Sequence, residues 1–360
     1  MPAVRGGSRE GGTESFTAEN AEDAENVGQE AESVKSVRML GKGKVEVVER
    51  PEPEAKDDWA VVRIRASAIC GSERGHYLNG AKYNFGHEAC GEVVEVDSPN
   101  TLNVGDRVML FAAAFCGNCP ECLSGRAVMC RNIQWQEGYH NEYATLPERC
   151  LLPIPDDIPD DVGALLGDAL GTPYRAIKRL GVNGSHTVAL FGLGPIGLSA
   201  LTICKWHDAR VIAFEKHPFR IQLGEELGAD AVVDPSEHSP LEAVKKFMEG
   251  EGASIAIDCT GNAEAESAAV ACVGRGGRIA FVGENAGTIP VSPSEQFIRK
   301  ELTLIGSWYF ALDDYPEMVK LVQSGFPLSR IITHRFPLDA AQEAFDLFFS
   351  GQSGKVLFEF

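Results

Sequence analysis

The chain has no apolar run long enough to cross a membrane, and it begins Met-Pro-Ala-Val-Arg without the apolar core of a secretion signal. A reducing, cytoplasmic setting is therefore expected. Basic residues are in deficit, 33 against 52 acidic ones, and the net charge of −19 makes nucleic acid and anionic membrane surfaces unsuitable partners. Large apolar side chains are nearly missing from residues 1–36, which are rich in Glu, Ala, Gly and Ser and show no periodic face. That segment is expected to be a disordered acidic tail, with a helical docking segment over 15–36 disfavoured because charges fall on every face. Regular structure is expected from Val37. No internal repeat follows. The apolar share of 44% is ordinary for a globular protein, and 360 residues exceed what one core usually supports, so two domains are expected.

What is present in excess is cysteine at short intervals. Of ten cysteines, four fall in one stretch, Cys116-Gly-Asn-Cys119-Pro-Glu-Cys122 and then Cys130. Two-residue gaps let successive thiolates converge on one ion at about 2.3 Å, and the longer last gap lets the chain loop back to complete a tetrahedron. Four sulfurs leave no open coordination position, which makes the expected metal a structural zinc. A disulfide cluster is the competing reading, disfavoured by the expected reducing compartment.

Alternation and β-branched content mark short strands over 44–49, 59–68, 89–96, 107–110 and 141–145, the pattern of a small Greek-key-like β domain. Within it, Cys70-Gly-Ser-Glu-Arg-Gly-His76 follows one strand and Phe85-Gly-His87-Glu88 precedes the next. A thiolate and an imidazole at strand ends make a plausible pair of zinc ligands, and only three protein ligands would keep a position open for substrate. Asp168, in Leu166-Gly-Asp168-Ala-Leu-Gly-Thr172, is the third candidate. The ordinary alternatives are helix capping for Asp168, a buried thiol for Cys70 and a core histidine for His87.

From Ser185 strands alternate with helices, the signature of a parallel sheet. The strand over 187–191 runs into Gly192-Leu-Gly194-Pro195-Ile196-Gly197 and an apolar helix through Lys205, and a second strand over 210–214 ends in Glu215. Glycines there permit a tight turn and close approach of a pyrophosphate, whose charge the helix start stabilises. A carboxylate at Glu215 accepts bonds from the adenosine ribose hydroxyls and repels a 2′-phosphate, which favours NAD over NADP. Lys216 and Arg220 are the nearby groups that would receive a phosphate if Glu215 turned away. Further strands over 231–234, 254–258, 278–282 and 302–305 put the Thr260-Gly261 and Val282-Gly283 turns at the ligand-binding edge. The segment 336–360, an amphipathic helix and a short strand with Gly354-Lys355, is expected to return to the first lobe.

These motifs occur in one order: Cys-Gly-Ser-Glu at 70–73, Gly-His-Glu at 86–88, the four-cysteine lobe, Gly-Leu-Gly-Pro-Ile-Gly at 192–197 and Gly-Lys at 354–355. Over 37–360 the chain resembles the zinc-containing medium-chain dehydrogenase/reductase superfamily, the alcohol and polyol dehydrogenase group. The resemblance implies an α/β fold, with a GroES-like β-rich catalytic domain (37–176 and 315–360) plus a Rossmann-type doubly wound parallel sheet domain (177–314), assembled as a homodimer or homotetramer. It implies two zinc ions, one catalytic at Cys70, His87 and Asp168 and one structural at the four cysteines. Ser72 would accept the alcohol proton, Glu73 would orient His87, and Glu88 would be a carboxylate near the metal. Thr172 would touch the nicotinamide, and Lys355 would join Arg220, Thr260 and Val282 around the cofactor. The family's relay histidine lies five residues after the first Cys, where this chain has Gly75. Either the loop bulges to bring in His76, or protons leave by another route. The polar loop 77–85, with Asn79, Lys82, Tyr83 and Asn84, suits a hydroxylated substrate, while Trp135, Tyr139, Trp308 and Tyr309 either line the pocket or merely pack. The implied activity is hydride transfer between NAD and a secondary alcohol, a polyol, sugar or related hydroxylated metabolite. An NADPH-dependent aldehyde or ketone reductase and a non-catalytic nucleotide-binding redox sensor are the alternatives.

Overall fold

A computed structural model describes residues 33–81, 86–97, 101–136 and 138–360. Regular structure begins earlier than expected. Residues 1–32 of the expected tail lie outside the described residues, but strand Ser33–Gly41 is formed from the segment's last residues and pairs antiparallel with Lys44–Pro51. The reason is burial: Val37 and Met39 sit with Val45 in one buried cluster, giving this strand the apolar face that composition alone concealed.

Two larger sheets carry most of the remaining strands, with Ala113–Ala114 and Gln134–Trp135 forming a separate short pair. Strands Ile332–Pro337, Lys355–Glu359, Trp59–Ala68, Ala89–Val96, Arg107–Leu110 and Leu151–Pro153 form one mixed sheet in that order, with Tyr143–Pro147 also pairing Trp59–Ala68. The C-terminal segment thus returns to the first lobe, through two parallel strands of which Ile332–Pro337 had no clear sequence signal. The second sheet is wholly parallel, ordered Ala231–Val233, Arg210–Phe214, Thr187–Phe191, Ala253–Asp258, Val273–Phe281 and Thr303–Gly306. Its central strand, Thr187–Phe191, is buried throughout, as continuous apolar strands covered on both faces must be. The order reverses direction beside that strand, opening the crevice where doubly wound sheets bind nucleotides. Among the described residues no helix is long and apolar enough to cross a membrane.

Candidate active site

Two antiparallel neighbours of the mixed sheet bring the first two candidate ligands together. Cys70 lies two residues beyond strand Trp59–Ala68, and His87 lies two residues before Ala89–Val96, so adjacent strand ends deliver both. Asp168 arrives from a π-helical turn, Leu166–Leu170, between helices Asp160–Leu165 and Gly171–Leu180. Among the described residues no backbone amide caps onto Asp168; its Oδ1 accepts the Thr172 hydroxyl at 2.7 Å, and its Oδ2 faces Cys70 and His87.

Tetrahedral zinc, with bonds of about 2.3 Å to sulfur and 2.0–2.1 Å to nitrogen or oxygen, requires ligand-atom separations of about 3.4–3.5 Å. Cys70 Sγ lies 3.1 Å and His87 Nε2 lies 3.5 Å from Asp168 Oδ2, and all three side chains are buried. The electrostatics fit a cation as well. Burial and then Asp168 push the Cys70 thiol up, and although burial opposes charge on His87, Cys70 and Asp168 raise it well above its ordinary value. Burial would also raise the Asp168 carboxyl, yet His87 and Lys355 hold it well below the usual range. The residues present fit a zinc ion.

Two fully buried carboxylates flank this site, and Glu73 lacks the partner anticipated from sequence. Glu73 does not bond His87. Its Oε2 lies 3.1 Å from His140 Nε2, and its Oε1 accepts the Cys70 amide at 3.0 Å. Burial would raise the Glu73 carboxyl, but His140 beside it brings it below the usual value. Glu88 accepts the Ala169 amide at 2.8 Å on one oxygen and the Lys355 ammonium on the other. Lys355, expected at the cofactor, is fully buried in this pair because a buried carboxylate demands a counter-charge. Burial still pushes Glu88 up to about 7. Ser72 is exposed on the turn Gly71–Glu73, and half-buried His76 sits in helix Arg74–Asn79 directly after it, with no bulge between them.

At the edge of the parallel sheet, Gly192 takes a φ of +84° and Gly194 caps helix Pro195–Trp206. A Cβ at Gly197 would collide with the Gly192 carbonyl oxygen, so the third glycine of the loop is a packing requirement. Glu215 is buried rather than a solvated strand-end charge: Oε2 accepts the Leu193 amide at 2.8 Å, and Oε1 accepts the Lys216 and His217 amides at 2.8 and 3.0 Å. Arg220 donates to the Ser353 carbonyl at 2.9 Å, with Nη1 3.8 Å from the Cβ position of Gly194. The turn at Thr260 is organised by a residue sequence reasoning missed. Asp258 Oδ1 accepts the Thr260 hydroxyl at 2.6 Å, and its carbonyl accepts the Val282 and Gly283 amides at 2.9 and 3.1 Å.

The aromatic candidates divide. Trp135 packs 6.0 Å from the His87 ring, stacks on Trp308 at 5.6 Å and meets Tyr309 edge-on at 5.3 Å, forming a wall that starts at a candidate ligand and ends in solvent at Trp308. Tyr139 is interior. Asn79 is exposed, and Lys82, Tyr83 and Asn84 lie outside the described residues. The four-thiol lobe closes as its spacing predicts. Four of the six sulfur pairs stand 3.4 to 3.9 Å apart and all six lie within 4.8 Å, against about 3.8 Å for a tetrahedral zinc tetrathiolate. The Asn118 amide leads the groups that lower the Cys116 thiol to about 6, and burial pushes Cys122 up to about 12. None of the described cysteines is in a disulfide.

Comparison with known proteins identifies the family. The alcohol dehydrogenase GroES-like domain matches residues 56–156, and the zinc-binding dehydrogenase domain matches residues 195–324. An L-threonine 3-dehydrogenase of Shewanella frigidimarina is 32% identical over 327 residues, covering 86% of this chain and 95% of that protein. The chain belongs to the zinc-containing medium-chain dehydrogenase/reductase superfamily. It is an oxidoreductase of the zinc-dependent alcohol dehydrogenase type, acting on a CH–OH group. Among solved structures, the alcohol dehydrogenase of Thermus sp. ATN1 superposes with a TM-score of 0.85 at 25% identity, covering 91% of this chain and 99% of that one. Galactitol-1-phosphate dehydrogenase of Escherichia coli gives a TM-score of 0.82 at 27% identity, covering 90% and 99%.

Proposed function

We propose that this dehydrogenase oxidises the secondary hydroxyl of a polyol, sugar or related hydroxylated metabolite and passes the hydride to NAD. The observation that carries the reading is the convergence of Cys70, His87 and Asp168 at zinc-ligand separations beside Thr172. Two relatives support the substrate class, since their names specify L-threonine and galactitol 1-phosphate, both small polar hydroxylated molecules.

Zinc at that site would polarise the alcohol oxygen and lower its pKa, and NAD would accept the hydride. One thiolate, one carboxylate and a neutral imidazole cancel the charge of a divalent ion, which keeps the pocket compatible with the cationic nicotinamide. Thr172 holds the Asp168 carboxylate in place through Oδ1, leaving Oδ2 to the metal side. Exposed Ser72 takes the alcohol proton to solvent, a route that needs no bulge at His76. Trp135 and Trp308 bound the substrate side and exclude water from His87. Glu215, at the end of its strand, accepts the ribose hydroxyls and favours NAD.

The second ion belongs to the four thiols and is structural. A homodimer or homotetramer fits the exposed apolar groups Leu304, on the edge strand Thr303–Gly306 of the parallel sheet, and Ile298 and Trp308 on the segments flanking it. The unpaired thiols support a cytoplasmic location, and the two-domain division at 176/177 and 314/315 is part of the same reading.

Zinc content and NAD binding of wild type and a Cys70→Ala variant test it. The expected result is two zinc ions falling to one, with NAD bound in both. One zinc in both proteins would overturn the catalytic site in favour of a nucleotide-binding protein. A wild-type preference for NADPH, or for simple aliphatic alcohols over polyols, would overturn the cofactor or substrate assignment.

A further inference from the structure

We propose that His140 is the positioning residue of the metal site, a buried imidazole that ties together the two chain segments from which Cys70 and His87 arise. The inference rests on the metal-site reading above. His140 is fully buried and its ring nitrogens pair with Ser67 and Glu73, so it acts through its neighbours. Towards Cys70 it works twice. Its Nε2 lies 3.1 Å from Glu73 Oε2, and the other Glu73 oxygen accepts the Cys70 amide at 3.0 Å. Its Nδ1 lies 2.9 Å from Ser67 Oγ, on the strand that leads into Cys70.

Towards His87 the contact is direct packing. Gly86, the residue before His87, has a φ of +103°, and a Cβ there would fall 2.8 Å from His140 Cγ and 2.9 Å from Cδ2. The amides of Gly138 and Tyr139, leading into His140, both donate to the Gly86 carbonyl at 2.9 and 3.2 Å. Edge-on rings of Phe345 and Phe358, at 5.7 and 5.1 Å, support the imidazole. The bonding also dictates the residue type. A carboxylate at Nε2 calls for an N–H there, which leaves Nδ1 to accept the Ser67 hydroxyl, and an imidazole meets both demands within one rigid ring. Phenylalanine would keep the packing but leave a buried carboxylate and hydroxyl without partners. Glutamine can restore one donor and one acceptor.

The test is zinc retention by the full-length holoenzyme against graded chelator, for wild type, His140→Phe, His140→Gln and Ser67→Ala, with the four-thiol zinc as an internal gauge of folding. In His140→Phe the Cys70-site zinc should leave at roughly 10- to 100-fold lower chelator, the usual effect of removing the support of a metal ligand, while the four-thiol zinc stays. His140→Gln should recover most of that retention, and Ser67→Ala should show a smaller loss confined to the same site. Should His140→Phe fail to fold, Ser67→Ala decides: selective loss supports the proposal and unchanged retention overturns it. Equal retention of two zincs in wild type and His140→Phe, or parallel loss of both ions in every variant, would also overturn it. Only one zinc in wild type would instead remove the metal-site reading itself.

Discussion

Glu88 shows how much of this site is decided one residue at a time. Its carboxyl is buried beside Asp168, an arrangement tolerable because the Lys355 ammonium and the Ala169 amide share its two oxygens. Removing one partner of a buried ion pair leaves an uncompensated charge, typically destabilising by about 3–5 kcal/mol. Lys355→Met should therefore lower unfolding free energy by about that amount in denaturant titration, and the double change Lys355→Met/Glu88→Gln should recover part of it. Equal stability of Lys355→Met and wild type would contradict the pairing. On the proposed NAD reading, Glu215 poses the opposite case, a carboxylate that serves a ligand as well as the fold. Glu215→Ala removes an ionic acceptor for ribose hydroxyls, worth about 1.5–3 kcal/mol, so NAD affinity should fall by one to two orders of magnitude with little loss of NADP affinity. Parallel losses for both cofactors in a binding titration would show that the Leu193 contact, and not the ribose, is what Glu215 serves.

Elements that announce themselves by a repeated pattern were legible in the sequence, and those defined by one irregularity were not. The strand over 187–191, its glycine turn and the strand over 210–214 could be read because burial on both faces leaves an unbroken apolar string and the turn chemistry follows at once. The loop's third glycine yields a direct test. A methyl group at Gly197 meets the Gly192 carbonyl oxygen, so Gly197→Ala should cost about 1–3 kcal/mol and weaken NAD binding, seen together in thermal unfolding and cofactor titration. Unchanged NAD affinity would mean that the loop relaxes without cost to the ligand. By contrast the π-helical turn Leu166–Leu170 left no trace, since one widened turn does not change an apolar helical pattern, although it turns Asp168 toward Cys70 and gives the Ala169 amide to Glu88. His140 was hidden for a related reason: a lone histidine carries no spacing, and its partner Glu73 is 67 residues away. Strand Ile332–Pro337 mixes polar with apolar positions and gains its place only from the parallel neighbour Lys355–Glu359.

Across the whole molecule one short strand pair links the two candidate metal sites. The four-thiol lobe interrupts a small sheet, with strand Ala113–Ala114 entering it and Gln134–Trp135 leaving it, and Trp135 is the ring that packs on His87. On the proposed reading, zinc closing the lobe would fix the Trp135 wall of the substrate pocket as well as the lobe itself, whereas the parallel sheet uses no strand from this region. Cys122→Ala should lose one zinc and lower the thermal midpoint by roughly 5 °C or more, because structural zinc contributes directly to folding free energy. It should also raise KM for the alcohol more than KM for NAD, since only the former depends on where Trp135 sits. A variant that lost the zinc with its thermal midpoint and both KM values intact would show that the lobe stands without metal. A rise in both KM values together would instead make the lobe a support of the whole fold, with no particular bearing on Trp135.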